Sequence, residues 1–404
     1  MPDPFILPKS ATEPALAELG VAGGLLTVDL DAVAANYAML RNAAPGAEVS
    51  AVVKADAYGL GLTPIARRLA AEGCRTFFVA TALEGAALRE TLPNAIIYVL
   101  NGLFPGTADY YAAHNLRPAL ASLAEVAEWR NEAKRQGRAL PAALHFDSGM
   151  HRLGMSAQDA DKIAGDTALT EGVGIALIMS HLACADDASH PQNAAQLSHF
   201  VTLREILAKR FPDAAASLAN SGGIYLGPDY HFDLVRPGVT LYGGSPFMTG
   251  RDNPSRPVVT LEAQVIAIRN IEAGDRVGYG ATWRATEQTR IAILSAGYAD
   301  GYFRTLSRPA PGGAETSDYG GQVHIAGYTV PVAGRVSMDL IAVDLNGIPE
   351  DAIRRGDMAE LIGPHIKVDD VGMKAGTIGY EILTSLGSRY IRRYISSGKN
   401  GGRG

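Results

Sequence analysis

Cysteine, clustered basic residues and long apolar runs are all scarce in this 404-residue sequence. Its two cysteines, Cys74 and Cys184, are far apart and lack metal-ligand spacing, so the sequence predicts neither a disulfide nor a metal site. No uninterrupted apolar stretch is long enough to cross a bilayer, and the first residues lack a basic segment followed by an apolar one. We therefore expect a cytoplasmic protein that does not associate with membranes.

The charge balance argues against nucleic acid as a partner. The net charge is −6 and the lysines and arginines are not grouped, whereas binding to nucleic acid depends on clustered cations that release counterions. Hydrophobic residues make up 47% of the chain, as in a globular protein. The 45 glycines indicate tight turns or close approaches of the backbone to a ligand, so we expect a small-molecule partner.

Short, continuous apolar runs recur eight times in the first two thirds of the chain, separated by helical segments rich in Ala, Leu, Glu and Arg. Continuous runs indicate strands buried on both faces, and their alternation with helices indicates a parallel sheet. Eight such units predict an α/β fold with a (β/α)₈, TIM-like barrel over residues 24–253, with a doubly wound sheet as the alternative. The runs are residues 50–53, 77–80, 95–100, 118–121, 142–146, 175–179, 215–218 and 234–235.

The segments outside these runs have a different composition. Residues 1–23, rich in proline and alanine, are predicted to form an N-terminal arm, and a strand at 25–30 is followed by a helix that Asp31 could cap. Residues 254–404 carry runs of Val, Ile and Thr between Gly, Pro and Asp, with few helical stretches before a predicted helical tail at 380–395. This predicts a C-terminal β-rich domain with a surface loop at 307–321.

Lys54 stands at the carboxyl end of the first run, just before Tyr58 and Gly59. A lysine at a strand end is commonly a solvated cap. Here two valines lead into it without a polar neighbour. Desolvation lowers the pKa of a lysine, and a neutral amine is available as a nucleophile or a base. The carboxyl end of a barrel strand is also where such folds carry their chemistry.

The segment Val52-Val-Lys-Ala-Asp-Ala-Tyr-Gly-Leu-Gly61 resembles the cofactor-lysine signature of the alanine racemases, and the resemblance continues to about residue 380. It implies an isomerase that interconverts L- and D-alanine through an aldimine between Lys54 and pyridoxal 5'-phosphate. It also implies a homodimer with shared active sites, and a role in supplying D-alanine for bacterial peptidoglycan. Racemisation needs an acid–base group on each face of a planar carbanion. The resemblance implies Lys54 and Tyr279 for these two groups.

Further residues after the barrel runs and in the second domain match the family pattern. Taken alone, an arginine or a histidine at such a position is as well explained by a surface ion pair or by core packing. Small residues after the last two strands of a barrel often bind phosphate, which suggests Ser221, Gly238 and Val239. The resemblance adds Tyr58 and Tyr380 to this phosphate group, Arg152 at the cofactor's phenolic oxygen and the substrate carboxylate, His181 against the pyridine ring, Arg236 at the pyridine nitrogen and Met338 at the substrate carboxylate.

One position departs from the family pattern. Many members carry a carbamylated lysine before Asp147-Ser-Gly-Met150 that orients the arginine, and this sequence has His145 instead. Three other functions are alternatives to an alanine racemase: a broader amino-acid racemase acting for example on serine, a barrel decarboxylase with the same cofactor, and a carrier of pyridoxal phosphate. Neither the decarboxylase nor the carrier would need Tyr279.

Overall fold

The computed structural model describes residues 21–248, 251–308 and 320–397. These fall into two compact units, one within Val33–Arg256 and the other within Met1–Ala32 together with Pro257–Gly404. Most of the predicted N-terminal arm and of the predicted loop at 307–321 lies outside the described residues. In the described parts of the chain, no helix is long and apolar enough to span a membrane.

The first described strand belongs to the β-rich unit. β1 (Gly24–Asp29) pairs antiparallel with Val259–Ile271 and parallel with Ile391–Ile395. The expectation that this segment belongs to the barrel is wrong, because alternating side chains predict a strand but do not identify its partner. The Asp29 carboxylate caps the N-terminus of α1 (Leu30–Ala43). It accepts hydrogen bonds from the N–H groups of residues 31 and 32, at 2.8 and 3.0 Å. The cap is therefore Asp29 and not Asp31.

The unit that follows is a closed parallel barrel. Each of the eight predicted runs contains a strand, and successive strands pair in parallel. The first run contains β3, and β2 directly precedes it. The ring closes at the last strand, where Val235 O accepts a hydrogen bond from Ser50 N at 3.0 Å and Asp233 N donates to Ala216 O at 3.0 Å. The strands are β2 (Glu48–Val49), β3 (Ala51–Val52), β4 (Thr76–Val79), β5 (Ile96–Val99), β6 (Arg117–Leu120), β7 (Leu140–His145), β8 (Val173–Met179), β9 (Ala215–Ser217) and β10 (Leu234–Val235).

Helices connect the barrel strands, as the sequence predicted. Three of them begin at capping side chains, those of Thr81, Ser122 and Ser156, each of which accepts a hydrogen bond from the backbone N–H three residues later. Strand residues such as Phe77 and Phe78 are fully buried, as expected for a sheet covered on both faces. The helices are α2 (Leu62–Ala71), α3 (Ala82–Thr91), α4 (Ala108–Ala113), α5 (Leu123–Gln136), α6 (Ala157–Gly165) and α7 (Gln192–Ala208).

The second unit is β-rich, which confirms the predicted fold class. Its main sheet is built around β11 (Val259–Ile271), which pairs antiparallel with β1, with Thr289–Leu294 and with Met358–Ile362. A bulge between Val265 and Ala267 interrupts its pairing with Thr289–Leu294. The predicted helical tail is wrong beyond Thr384, because the segment from Ile391 pairs with β1. The remaining elements are β12 (Arg276–Val277), β13 (Trp283–Arg284), β14 (Thr289–Leu294), β15 (Gln322–Ile325), β16 (Tyr328–Pro331), β17 (Ile341–Asp344), β18 (Met358–Ile362), α8 (Val368–Ala375), α9 (Gly379–Thr384) and β19 (Ile391–Ile395).

Candidate active site

Four of the predicted site residues follow the carboxyl ends of barrel strands: Lys54 follows β3, His181 follows β8, Ser221 follows β9, and Arg236 follows β10. His145, where the sequence departs from the family pattern, is the last residue of β7. The carboxyl ends of barrel strands meet at one face, so these side chains are gathered from separate parts of the sequence. Their charges affect one another: the pKa of His181 responds to Arg236, Arg152, Lys54 and His145.

Lys54 is half-buried, and burial lowers the pKa of its amine. The positive charge of Arg152 lowers it further, whereas Glu84 acts in the opposite direction. The Glu84 carboxylate is held in place by the N–H groups of Ala55 and Ala80, which donate to it at 2.8 and 2.7 Å. More of the Lys54 amine is therefore neutral near pH 7 than in an exposed lysine, and a neutral amine can act as a nucleophile or accept a proton.

The residues directly after Lys54 form a left-handed turn. Residues 55–58 all have positive φ, between 53° and 59°, although none is a glycine. This conformation costs L-residues about 1–2 kcal/mol each and is typical of functional sites. The turn places the Tyr58 ring on the ring of Tyr242, with centroids 4.6 Å apart, and the Tyr242 hydroxyl donates to Val52 O at 2.7 Å. Tyr242 thus contacts the chain on both sides of Lys54, at Val52 and at Tyr58.

A cradle of small residues lies beside Tyr58. The N–H of Gly238 donates to the hydroxyl of buried Ser221 at 2.9 Å, and Val239, also buried, opens a short helical turn, Val239–Tyr242. A Cβ at Gly238 would lie 3.0 Å from Cζ of Tyr58 and closer still to its hydroxyl, so a side chain cannot be accommodated there. Backbone groups and hydroxyls are therefore the groups that this part of the barrel face presents, which suits a phosphate.

Arg236 is almost fully buried and is held on two sides. One guanidinium nitrogen donates to the hydroxyl of Ser217, and the other donates to Ser180 O at 2.5 Å and lies 3.4 Å from Nδ1 of His181. Burial lowers the pKa of Arg236 to about 9, so it remains charged at neutral pH. Burial and the Arg236 charge hold the pKa of His181 well below its usual range, so its ring is neutral and Nδ1 can accept from the arginine.

His145 occupies the position where the family pattern has a lysine. Its side chain is 7% exposed, and its buried Nδ1 has no hydrogen-bond partner in the part of the chain that the structure describes. Burial lowers the pKa of His145 to about 4, and the charges of Arg236 and Arg152 contribute to the shift. At neutral pH the imidazole therefore adds no third positive charge to the two arginines.

Arg152 lies in the loop between β7 and α6, and its side chain is exposed. The loop is organised by Asp147, whose carboxylate accepts hydrogen bonds from the N–H groups of residues 149, 150 and 151 at 2.8 to 3.1 Å. Met155 closes the loop by pairing with the backbone of residues 145 and 147. Among the described residues, no hydrogen bond holds the Arg152 guanidinium itself, so the loop backbone determines its position.

The other predicted site residues belong to the β-rich unit. Tyr279 lies at the tip of the hairpin between β12 and β13 and is 70% exposed. The backbone of Arg335 packs against Gly278 at this tip, so the segment that leads to Met338 lies beside the hairpin. Met338 is also exposed, and its carbonyl accepts a hydrogen bond from Ala299 N at 3.0 Å. Tyr380 is half-buried at the start of α9.

Several residues that shape the site were not found from the sequence. Ser217 holds Arg236, Tyr242 supports Tyr58, and Glu84 acts on Lys54, yet each lies in a segment that reads as ordinary strand, turn or helix. Only Tyr242 left a signal, as an aromatic side chain four residues after Gly238.

Both parts of the chain match domains of one known protein family. Residues 28–246 match the alanine racemase N-terminal domain and residues 258–394 match the alanine racemase C-terminal domain. A catabolic alanine racemase of Agrobacterium fabrum is 45% identical over 94% of this chain and 94% of its own length, and a biosynthetic one from the same organism is 45% identical over 92% and 93%. The crystal structure of alanine racemase from Bartonella henselae with covalently bound pyridoxal phosphate superposes with a TM-score of 0.85, at 40% identity, and covers 93% of this chain and 100% of that one.

The barrel, the β-rich unit and these matches define a pyridoxal-phosphate-dependent amino-acid racemase. The chain belongs to the alanine racemase family. Its own residues suit the cofactor: burial lowers the pKa of the Lys54 amine, the ring of His181 is uncharged, and the cradle around Gly238 has no space for a side chain.

Proposed function

We propose that this enzyme racemises alanine with Lys54 and Tyr279 as the two acid–base groups. The observation that carries the proposal is the half-buried Lys54, with its lowered pKa, at the carboxyl end of β3 next to the Tyr58–Gly238 cradle. Pyridoxal phosphate, when bound, stabilises the negative charge that remains on the substrate's α-carbon after a proton leaves. The protein's contribution is to hold the substrate and to move that proton.

Each of the two bases serves one enantiomer. Lys54 Nζ removes the α-proton from one face, and the hydroxyl of Tyr279 returns a proton to the opposite face; the reverse reaction exchanges these roles. The burial that keeps part of the Lys54 amine neutral makes it a usable base near pH 7. The exposed position of Tyr279 leaves its hydroxyl free to enter a site.

Six barrel residues and Tyr380 would hold the cofactor around Lys54. Ser221, Gly238 and Val239 would bind its phosphate through backbone N–H groups and a hydroxyl, together with the hydroxyls of Tyr58 and Tyr380. His181 would lie against the ring. Charged, buried Arg236 would face the ring nitrogen, and because an arginine does not give up its proton readily, that nitrogen would stay unprotonated. Such an arrangement favours return of the proton over side reactions.

The substrate carboxylate would be bound by Arg152 and by the backbone around Met338. A guanidinium forms two parallel hydrogen bonds with a carboxylate, which fixes its orientation as well as its position.

We also propose a homodimer in which each site takes Lys54 from one chain and Tyr279 and Met338 from its partner. Tyr279 is 70% exposed and Met338 is 52% exposed, and both large side chains lie on neighbouring loops of one unit. Contact with a second copy would cover them and complete both sites in one two-fold arrangement.

The decisive experiment is a chiral assay of the purified enzyme with L- and D-alanine supplied separately. Each enantiomer should be converted to an equal mixture, and serine should be turned over much more slowly. Production of an amine with loss of carbon dioxide would support a decarboxylase, and binding of pyridoxal phosphate without turnover would support a carrier. Comparable rates with serine and alanine would support a racemase of broad specificity.

The physiological role that we propose is supply of D-alanine for peptidoglycan. Because a catabolic and a biosynthetic relative from one organism match equally well at 45% identity, the test has to be genetic. Deletion of the gene should make growth depend on added D-alanine, whereas a catabolic enzyme's loss would impair only growth on alanine as a nutrient.

A further inference from the structure

We propose that Gln196 is a positioning residue that ties together the two loops carrying Arg152 and His181. The proposal rests on the roles assigned above to these two side chains. Gln196 lies on α7, away from the strand ends, and its side chain is fully buried. A fully buried glutamine is uncommon and has to satisfy both its carbonyl and its amino group.

The side chain of Gln196 meets both loops at once. Its Oε1 accepts a hydrogen bond from Ala183 N at 2.8 Å, and its Nε2 donates to His181 O at 2.8 Å and to the Ser148 hydroxyl at 3.3 Å. A backbone N–H can only donate and a carbonyl can only accept, so these partners fix the orientation of the amide. Replacing Gln196 with glutamate would remove both hydrogen bonds that Nε2 donates. Replacing it with an apolar residue of similar size would remove all three hydrogen bonds.

The loops are also linked to each other next to Gln196. The hydroxyls of Ser148 and Ser180 lie 2.7 Å apart, both buried, and Ser180 O accepts from Arg236. A continuous chain of hydrogen bonds thus runs from the arginine at the centre of the site to α7. Buried networks of this kind fix geometry because breaking one member leaves others unpaired.

Two more side chains of α7 hold the loop that carries Arg152. Gln192 Nε2 donates to Gly149 O at 2.8 Å, and Nδ1 of His199 lies 3.1 Å from Ser148 O. Residues 192, 196 and 199 are spaced four and three apart, so they share one face of the helix. No hydrogen bond holds the Arg152 guanidinium within the described residues, so the position of the arginine depends on its loop. This helix face holds the loop and thereby positions the arginine.

The test compares Gln196→Met with a matched variant, Leu203→Ala. Leu203 is buried on the same helix and makes none of these bonds, so its truncation destabilises α7 by leaving a cavity while the loops keep their anchors. Amide hydrogen exchange, followed by mass spectrometry with and without pyridoxal phosphate, reports on peptides covering 147–154 and 180–185. In Gln196→Met we expect exchange in both peptides to accelerate about tenfold, because buried groups lose their partners.

Leu203→Ala should lower the melting temperature without opening either loop. Unchanged exchange in Gln196→Met, or equal opening of both loops in Leu203→Ala, would overturn the proposal. If Gln196→Met does not fold, Gln192→Met provides the test, since it removes a single bond and should accelerate exchange in 147–154 alone.

The kinetics of the variants provide a second readout. Displacement of Arg152 should raise the KM for alanine about tenfold in Gln196→Met with a smaller fall in kcat, and Leu203→Ala should keep the wild-type KM. If the wild-type enzyme does not racemise alanine, the proposed function fails, and hydrogen exchange still decides whether Gln196 holds the loops.

Discussion

The ring of Tyr58 lies against the backbone of Gly238, with no space between them for even a methyl group. A Cβ built on this glycine would stand 3.0 Å from Cζ of the tyrosine. The contact joins the turn after the first barrel strand to the turn after the last, across the seam where the barrel closes. Tyr58, four residues after Lys54, is therefore positioned by a glycine from the other end of the barrel sequence.

Gly238→Ala should weaken binding of pyridoxal phosphate. The new methyl group would push the Tyr58 hydroxyl away, at a cost of about 1–3 kcal/mol, which corresponds to a rise in Kd of about 5- to 150-fold. Titration of the apoenzyme with the cofactor measures this change. Gly165→Ala is the matched control, because a Cβ at Gly165 meets no atom within 4 Å and the affinity should stay at the wild-type value.

Borohydride reduction of the cofactor-loaded enzyme should attach pyridoxal phosphate to a single peptide, the one containing Lys54. A partly neutral amine reacts with an aldehyde, and the pKa of Lys54 is lowered by burial. Peptide mapping identifies the labelled lysine. Lys54→Arg keeps a positive charge but cannot form the bond, so it should give no labelled peptide; labelling of another lysine in the wild type would contradict the assignment.

Tyr279→Phe should lose racemisation while still binding alanine. Removing one of two proton-transfer groups lowers the rate by about 10²–10⁴-fold, whereas binding depends on other residues. Alanine binding is measured from the change in cofactor absorbance and racemisation from the chiral assay. Tyr328→Phe, on an exposed strand of the same unit, serves as the control. Undiminished racemisation in Tyr279→Phe would remove this tyrosine from the mechanism.

Two inactive variants should restore activity to each other if the sites are shared between chains. In a mixed dimer of Lys54→Ala and Tyr279→Ala, one site collects both defects and the other collects neither. Random pairing makes about half of the dimers mixed, so roughly a quarter of the wild-type activity should return after co-expression. Mixed dimers can be isolated with two different affinity tags. If they form but stay inactive, each site is built within one chain.

His145 should remain neutral far below the usual titration range of histidine. An ordinary imidazole gains its proton near pH 6.5, but burial lowers the pKa of His145 to about 4. The unfolded chain therefore binds a proton here before the folded one does, and between pH 6.5 and 4 this group destabilises the fold as the pH falls. At pH 5 the contribution is about 2 kcal/mol.

Two measurements test this expectation. The histidine NMR signal that disappears in His145→Gln should keep its neutral chemical shift at pH 5. Stability should also fall less steeply between pH 7 and pH 5 in His145→Gln than in the wild type. A midpoint near 6.5 for that signal would show that the imidazole is solvated and would refute the argument.

The barrel could be predicted because its strands are buried on both faces. Runs such as residues 95–100 and 175–179 are apolar throughout, and this pattern leaves few alternatives to a covered parallel strand. The strand at 25–30 was also predicted correctly as a strand, but its placement in the barrel was wrong. Its pairing partners lie hundreds of residues away, and the local sequence does not identify them. For the same reason the strand Ile391–Ile395, with its three polar residues, could not be separated from the helical tail.

The site was predictable only where a residue type stands out from its neighbours. Lys54 after two valines does so, and so does Gly238 between a proline and a valine. Gln196 does not, because a glutamine suits a helix surface and only the three-dimensional structure shows that it is buried. The pKa of His145 likewise depends on burial and on charges that only folding brings close.

The β-rich unit also has consequences for synthesis and for protein engineering. Its first strand, β1, lies between β11 and β19 in the sheet, so its neighbours are made only in the last third of the chain. During synthesis on the ribosome, both edges of β1 stay unpaired until β11 has emerged, and the second edge stays unpaired until β19 has emerged. An excised barrel should therefore begin at residue 33. A fragment that begins at residue 24 would carry an orphan strand that invites aggregation.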